Sequence, residues 1–195
     1  TVSVNRAGIP EGTYSATIPI TANGETKNVS VLMSVGVARK FLSSSFAFHN
    51  AVIKGDGSLW TWGRNESGQI GDGTKLDCLI PKQIGVSEWI KVSTGYSHTV
   101  AIKQDGSLWA WGLNNFGQLG DGTYEEKLIP TQIGTDKNWL DVVCGAFHTL
   151  ALKSDGSLWA WGLNNFGQLG DNTTTTKNVP TKIGTSTSWV SISAG

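Results

Sequence analysis

The stretch Asp105-Gly-Ser-Leu-Trp-Ala-Trp-Gly-Leu-Asn-Asn-Phe-Gly-Gln-Leu-Gly-Asp121 returns without change at positions 155–171 and in altered form at positions 56–72. Around it the same landmarks recur in order, about fifty residues apart: His49, His98 and His148; Pro81, Pro130 and Pro180; Trp89, Trp139 and Trp189; Gly95, Gly145 and Gly195. Self-similarity at such a period marks propellers, solenoids and arrays, in which one small unit buries its apolar faces only against copies of itself. The repeats occupy residues 37–195, in units of about 41–90, 91–140 and 141–190 with the start of a further unit to 195. Phe46 stands where Gly95 and Gly145 stand later, which marks the first repeat as an edge unit. Gly195 falls inside a unit, so the expectation is an internal fragment of a longer protein, with one bulky face of an open ring left uncovered.

Within a unit, Asp-Gly is a strong hairpin signal. Taken as a two-residue turn, Asp105-Gly106 sets Ile102 opposite Trp109, Ala101 opposite Ala110 and Val100 opposite Trp111. Alternation along each strand then predicts a bulky face of Val100, Ile102, Trp109 and Trp111 and a shallow face of Thr99, Ala101 and Ala110. Bulky packing into shallow suits sheets arranged radially as blades. Further strands are expected from Trp89, Trp139 and Trp189 and near Pro81–Ile84, while Asn114–Asp121 reads as a shaped, glycine-rich connection. No apolar 3.6-residue period argues for a helix.

Residues 1–36 differ. Thr1–Asn5, Tyr14–Ala22 and Lys27–Val35 read as strands, with Asn23-Gly24 as a hairpin turn. This segment resembles the end of a bacterial immunoglobulin-like or BACON-type domain. The resemblance implies a spacer in a secreted or surface protein, and so an extracellular or cell-surface location. The fold class expected for the whole is all-β: a partial β-propeller of about three repeat units, an incomplete ring, preceded by a few antiparallel strands of an immunoglobulin-like sandwich.

The motifs His98-Thr-Val-Ala-Ile-Lys, Asp105-Gly-Ser-Leu-Trp-Ala-Trp-Gly and Asn114-x-x-Gly-Gln-Leu-Gly-Asp121 resemble the repeat of the regulator-of-chromosome-condensation family. The resemblance implies a propeller of four-stranded blades, typically seven, of which this chain holds about three. The family's best-known activity is nucleotide exchange on a small GTPase combined with chromatin binding. Other relatives are protein-binding propellers. Nothing here matches the exchange-specific insertions or a basic tail, so the shared repeat implies shape rather than task.

Fifteen acidic and fifteen basic residues give no net charge and form no runs, which disfavours nucleic acid as a partner. No stretch approaches the roughly 20 apolar residues of a spanning helix. Cys78 and Cys144 lack metal or redox spacing and are expected as two separate thiols. The three repeat histidines are read as structural groups bonding backbone rather than as metal ligands. No cofactor is implied, and no carboxylate pair or nucleophile–base set stands out, so the chain is expected not to be an enzyme. The nine tryptophans are read mainly as core. Trp89, Trp139 and Trp189, which start strands after variable loops, are the candidates for an alternative glycan-binding role.

What differs between repeats is the best guide to contact residues, because a scaffold carries function in its loops. Two variable loops supply the binding candidates: Lys75, Asp77, Tyr124, Glu125 and Glu126 in one, Asp136 and Lys137 in the other. Tyr124 is the preferred anchor, aromatic residues being frequent in binding hot spots. The functional expectation is a non-catalytic protein–protein interaction scaffold. The alternatives are carbohydrate or cell-wall binding, and guanine nucleotide exchange on a small GTPase.

Overall fold

The computed structural model describes residues 12–22, 25–35, 47–86 and 88–195, in two units, Thr1–Lys40 and Phe41–Gly195. In the first unit β1 (Gly12–Ala22) and β2 (Glu25–Val35) pair antiparallel, with Gly12 opposite Val35 and Ala22 opposite Glu25. The strand expected at Thr1–Asn5, the turn at Asn23-Gly24 and the start of the repeat region at 37–46 lie outside the described residues.

In the second unit every described element is a strand. β3 (His49–Ile53), β4 (Leu59–Gly63) and β5 (Cys78–Gln83) form the first sheet. β6 (Trp89–Thr94), β7 (His98–Lys103), β8 (Leu108–Gly112) and β9 (Lys127–Gln132) form the second. β10 (Trp139–Cys144), β11 (His148–Lys153), β12 (Leu158–Gly162) and β13 (Lys177–Lys182) form the third. Each sheet is an antiparallel meander in chain order, as expected of a blade.

The hairpin register differs by one residue from the expectation. Val100 lies opposite Ala110, Ala101 opposite Trp109 and Ile102 opposite Leu108. The connection has three residues: the Gly106 amide donates to the Lys103 carbonyl at 2.9 Å, and the Lys103 amide to the Ser107 carbonyl at 3.0 Å. Gly106 alone takes positive φ, at 79°, whereas a two-residue turn needs it at Asp105 as well. Asp105 instead uses its carboxylate to accept from the Ser107 amide and hydroxyl. A one-residue slip exchanges the faces of one strand relative to the other. The two tryptophans therefore share their face with Ala101 and Thr99, and Val100 and Ile102 share theirs with Leu108 and Ala110.

Large still meets small, but between sheets rather than across one. The Trp111–Ala101–Val92 face of the second sheet packs on Ala51 and Leu59 of the first. Its Val100–Ile102–Leu108–Ala110 face receives Val142, Ala151 and Trp161 of the third. Trp111 and Trp161 are fully buried, and each donates its indole N–H at 2.9 Å to the preceding unit, to the carbonyls of Gln69 and Gln118. A Cβ on Gly71 would lie 2.6 Å from the Trp111 Nε1 and one on Gly120 2.7 Å from that of Trp161, so each indole rests on a glycine.

The histidines join the same seams. His49 Nε2 is 2.7 Å from Thr99 Oγ1, and Thr99 in turn donates to the Gln69 carbonyl at 2.9 Å. A hydroxyl that spends its proton on a carbonyl must accept from the imidazole, which fixes the Nε2–H tautomer. His98, Thr149 and the Gln118 carbonyl repeat the relay. The expected bond to backbone is thus made through a threonine hydroxyl of the next sheet. Nδ1 of His49 and of His98 is buried with no hydrogen-bond partner among the described residues, so a second proton there would create an unsolvated charge. Burial lowers His49 to about 4 and His98 to about 3.

Because the folded values lie below the ordinary 6.5, the unfolded chain binds these protons first as pH falls. Stability is complete above about 6.5 and declines toward about 4 for His49 and about 3 for His98. At about 1.4 kcal/mol per pH unit and ring, the two remove roughly 3–4 kcal/mol between about pH 7 and about pH 5. Urea unfolding midpoints should fall over that interval; equal midpoints would refute neutral buried rings.

Candidate functional site

The meander sorts the connections into two ends. The turns at 95–97 and 145–147 share one end with the long connections 64–77, 113–126 and 163–176. The hairpins at 104–106 and 154–156 share the other with the connections 84–88 and 133–138. Lys75, Asp77, Tyr124, Glu125 and Glu126 therefore lie together at the first end, and Asp136 and Lys137 lie at the opposite end.

Several of these candidates are engaged within the fold. The Asp77 carboxylate accepts from the Asn65 amide at 2.9 Å and holds its own loop. Lys75 and Glu126 form an ion pair that links the loops of the first and second sheets. The Glu125 carbonyl accepts from the Asn114 side chain. Asp136 pairs with Lys153, whose ammonium lies over Trp159 and Trp139 at 4.0 and 4.6 Å from the ring centroids. Lys137 pairs with Asp105 at 2.9 Å and, with the Ser107 hydrogen bonds, holds the Asp105 carboxyl well below the usual range. Tyr124 is exposed.

The connection at 113–126 is shaped by Asn114, which is fully buried. Its Nδ2 donates to the Asp121 carboxylate and to the carbonyls of Thr123 and Glu125, each at 3.1 Å, and its Oδ1 accepts from the Leu119 amide at 3.0 Å. Asn65 and Asn164 do the same in the other units. The loops at this end are consequently fixed platforms.

At the same end lies an aromatic ridge that inspection of the variable loops does not find, three of its rings on the short segments just before β3, β7 and β11 and the fourth, Phe116, on the Asn114 loop. Phe48 meets Tyr96 edge-on at 5.6 Å, Tyr96 meets Phe147 at 5.3 Å, and Phe147 meets Phe116 at 5.3 Å. It crosses all three sheets. Phe48 is 58 % exposed, and Phe166, the repeat equivalent of Phe116, is 92 % exposed. The ridge is not required by the repeat, because Ser97 stands where Phe48 and Phe147 stand and Ser67 where Phe116 stands. One sequence signal marks it: each unit places one aromatic residue in the two positions before its histidine, Phe48, Tyr96 and Phe147.

Arg64 lies over the Phe48 ring and pairs with Glu66, so the ridge is bordered by charges of both signs. Among the described residues no three His, Cys, Asp or Glu side chains converge on a point that would suit a metal ion. Cys78 and Cys144 form no disulfide, and burial pushes the Cys144 thiol up to about 12. The glycan candidates divide. Trp89 and Trp139 are 3 % and 5 % exposed and meet Trp109 and Trp159 edge-on, so they offer no stacking face; Trp189 is 47 % exposed. Between the second and third sheets lies a cleft of about 340 Å³ lined by Gln132, Asp136, Trp139, Trp159, Val179 and Pro180.

Antiparallel meanders of three and four described strands, joined by His–Thr and Trp–carbonyl seams, define a β-propeller repeat protein. The family model for the regulator of chromosome condensation (RCC1) repeat matches residues 56–102, 105–152 and 155–195, and a second model of the same description matches 89–118 and 139–168. The chain belongs to the RCC1 repeat family. Protein RCC2 of Homo sapiens is 43 % identical over 56 residues, which cover 28 % of this chain and 11 % of that protein. Among solved structures, human WBSCR16 is 26 % identical with a TM-score of 0.61, covering 70 % of this chain and 37 % of that one. Prp20p of Saccharomyces cerevisiae, reported with its binding to Gsp1p and histones, is 22 % identical with a TM-score of 0.67, covering 75 % and 38 %. The chain thus spans little more than a third of these solved relatives and about a tenth of the curated one.

Proposed function

We propose that this chain is a non-catalytic protein-interaction scaffold that presents the aromatic ridge to a polypeptide partner. The observation that carries this reading is the line Phe48–Tyr96–Phe147–Phe116, built at positions where other units carry serine or alanine, with Phe116 on a loop held by the buried Asn114. Rigid, partly exposed aromatics within a mixed-charge border are what protein hot spots are made of, and preformed loops lower the ordering cost of docking. Family membership supports it: Prp20p is reported with binding to Gsp1p and histones, and Kap60 has been seen bound to it. The resemblance of residues 1–36 to immunoglobulin-like spacers supports reading the scaffold as part of an exported or surface protein of bacterial type.

A photo-crosslinker at Phe166 should capture protein from the source cells, whereas one at Lys137, at the opposite end, should not. With the crosslinker at 166, Phe48→Ser combined with Phe116→Ser should abolish the capture while leaving the sheets folded. Capture only from position 137, or accelerated nucleotide release from a small GTPase without need of the ridge, would overturn the reading. A second reading, glycan binding, rests on the cleft beside Trp159. Titration with soluble glycans should change the tryptophan fluorescence if it holds.

A further inference from the structure

The second and third sheets hold the same lysine on the same pair of indoles. Lys103, at the end of β7, lies over Trp109 at 3.5 Å and over Trp89 at 5.0 Å. Lys153, at the end of β11, lies over Trp159 at 4.0 Å and over Trp139 at 4.6 Å. The indoles beneath meet edge-on in both units, at 6.2 Å and 81° in one and at 5.8 Å and 75° in the other. One cradle is thus built twice. An ammonium held against aromatic faces still has N–H donors on its other side, and these require an acceptor.

The third unit shows which acceptor fits. Asp136 Oδ2 lies 2.5 Å from Lys153 Nζ, and with this carboxylate in place Lys153 is only 7 % exposed. Asp136 comes from the connection 133–138. The matching connection of the second unit, 84–88, is one residue shorter, and its one acid is Glu88. Glu88 takes the place of Asn138: its carbonyl accepts from the Gln104 amide at 3.0 Å, as that of Asn138 accepts from the Ser154 amide at 2.8 Å. A Cβ on Gly57 would lie 3.4 Å from the Glu88 Cβ and 3.6 Å from its Cγ, so this side chain runs beside the hairpin of the first sheet.

The other nearby acid is also engaged. Asp105 accepts from Ser107 and pairs with Lys137. Among the described residues no carboxylate therefore lies within ion-pair distance of Lys103, which is partly exposed where Lys153 is buried. Burial lowers the Lys103 pKa, with Asp105 opposing, as expected of an ammonium that has lost water without gaining a counter-charge. The surroundings are apolar. Trp159, Val179 and Pro180 line the cleft of about 340 Å³ in the third unit, and the repeat register puts Trp109, Ile129 and Pro130 at those positions in the second. Trp109 is half-buried and Ile129 is exposed.

We propose that Lys103 is a binding site for the carboxylate of a small organic acid, which takes on Lys103 the place that Asp136 takes on Lys153. The body of the acid lies against Trp109, Ile129 and Pro130. Two indoles under the ammonium keep water from one side of it, so the charge-assisted bond is stronger than at an open surface lysine. The site lies at the end of the sheets opposite the aromatic ridge, so it stands or falls independently of the partner proposed there.

Benzoate tests this, with benzamide as its neutral counterpart. Benzoate should change the tryptophan fluorescence of the 195-residue chain, with a dissociation constant of about 1 mM or below. It should protect Lys103 from an acylating reagent and leave Lys137 reactive; benzamide should do neither. Lys103→Met keeps an apolar stem on the indoles and should weaken benzoate by about tenfold or more, the scale of one charge-assisted bond, while Lys103→Arg should restore part of the affinity. Asp136→Ala should uncover the second cradle, so that the chain binds benzoate at Lys153 as well and the stoichiometry rises from one to two. No binding at about 10 mM, equal binding of benzamide, unchanged affinity in Lys103→Met, or a single site in Asp136→Ala would each overturn the proposal. Tighter binding of an acidic peptide or of galacturonate at Lys103 would overturn it too, by making the occupant a polypeptide or a sugar acid.

Discussion

Trp111→Ala should cost about 3–5 kcal/mol, the range for removing a fully buried tryptophan. Its indole is in contact with Trp89 at a centroid distance of 6.0 Å, rests on Gly71, and fills the seam lined by Ala51, Leu59, Ile70, Ile84 and Val92. The cost should be mostly cavity and lost burial. The Gln69 carbonyl keeps the Thr99 hydroxyl when the indole N–H is gone, so no buried acceptor is orphaned. Trp111→Phe, which retains most of the volume, should therefore cost only about 1–2 kcal/mol. In a repeat array each unit depends on its neighbours' interfaces, so the damage should be directional. Hydrogen exchange should rise in β3–β5 for Trp111→Ala and in β10–β13 for Trp161→Ala, whose indole occupies the next seam. Urea unfolding with Phe166→Ala as an exposed control measures the first effect. A Trp111→Ala midpoint equal to the control's would mean the seam does not couple the sheets.

The repeat exposed the blade boundaries and most strands to sequence reading, because a fifty-residue period aligns three versions of each position. The hairpin register was not legible in the same way. Asp-Gly closes two-residue and three-residue turns alike, and the choice depends on whether Asp105 takes positive φ or uses its carboxylate to cap Ser107. The Ser after each Asp-Gly was the local clue. Contact residues were harder still. Variation marks Asp77 and Lys137 as well as Tyr124, but only coordinates show that Asp77 holds the Asn65 amide and Lys137 the Asp105 carboxylate. The ridge escaped because Phe48, Tyr96 and Phe147 do not share one repeat position; adjacent sheets bring them together across about fifty residues of sequence.

Asn114→Asp should be among the most damaging single-atom-group exchanges available to this fold. The side chain keeps its size, but a donor that faces the Asp121 carboxylate and the Thr123 and Glu125 carbonyls becomes an anion facing the same three acceptors. The two carbonyls lose their shared donor, and two carboxylates are brought to hydrogen-bond distance. The Thr123 and Glu125 carbonyls are part-buried, so each costs less than the about 1–3 kcal/mol of a fully buried acceptor, but the like-charge contact with Asp121 adds to it, so a loss of roughly 3–4 kcal/mol is expected. Asn114→Ala removes the donor without adding charge and should cost less, on the order of 2–3 kcal/mol. The charge contribution has its own signature: lowering the pH until the introduced carboxyl is protonated should recover part of the loss in Asn114→Asp and none in Asn114→Ala. Because this loop carries Phe116 and Tyr124, amide exchange across 114–126 should accelerate before that of β6–β8, and capture of a partner through the ridge should fall with it. Unchanged exchange in 114–126 would show that the loop holds its shape without the asparagine.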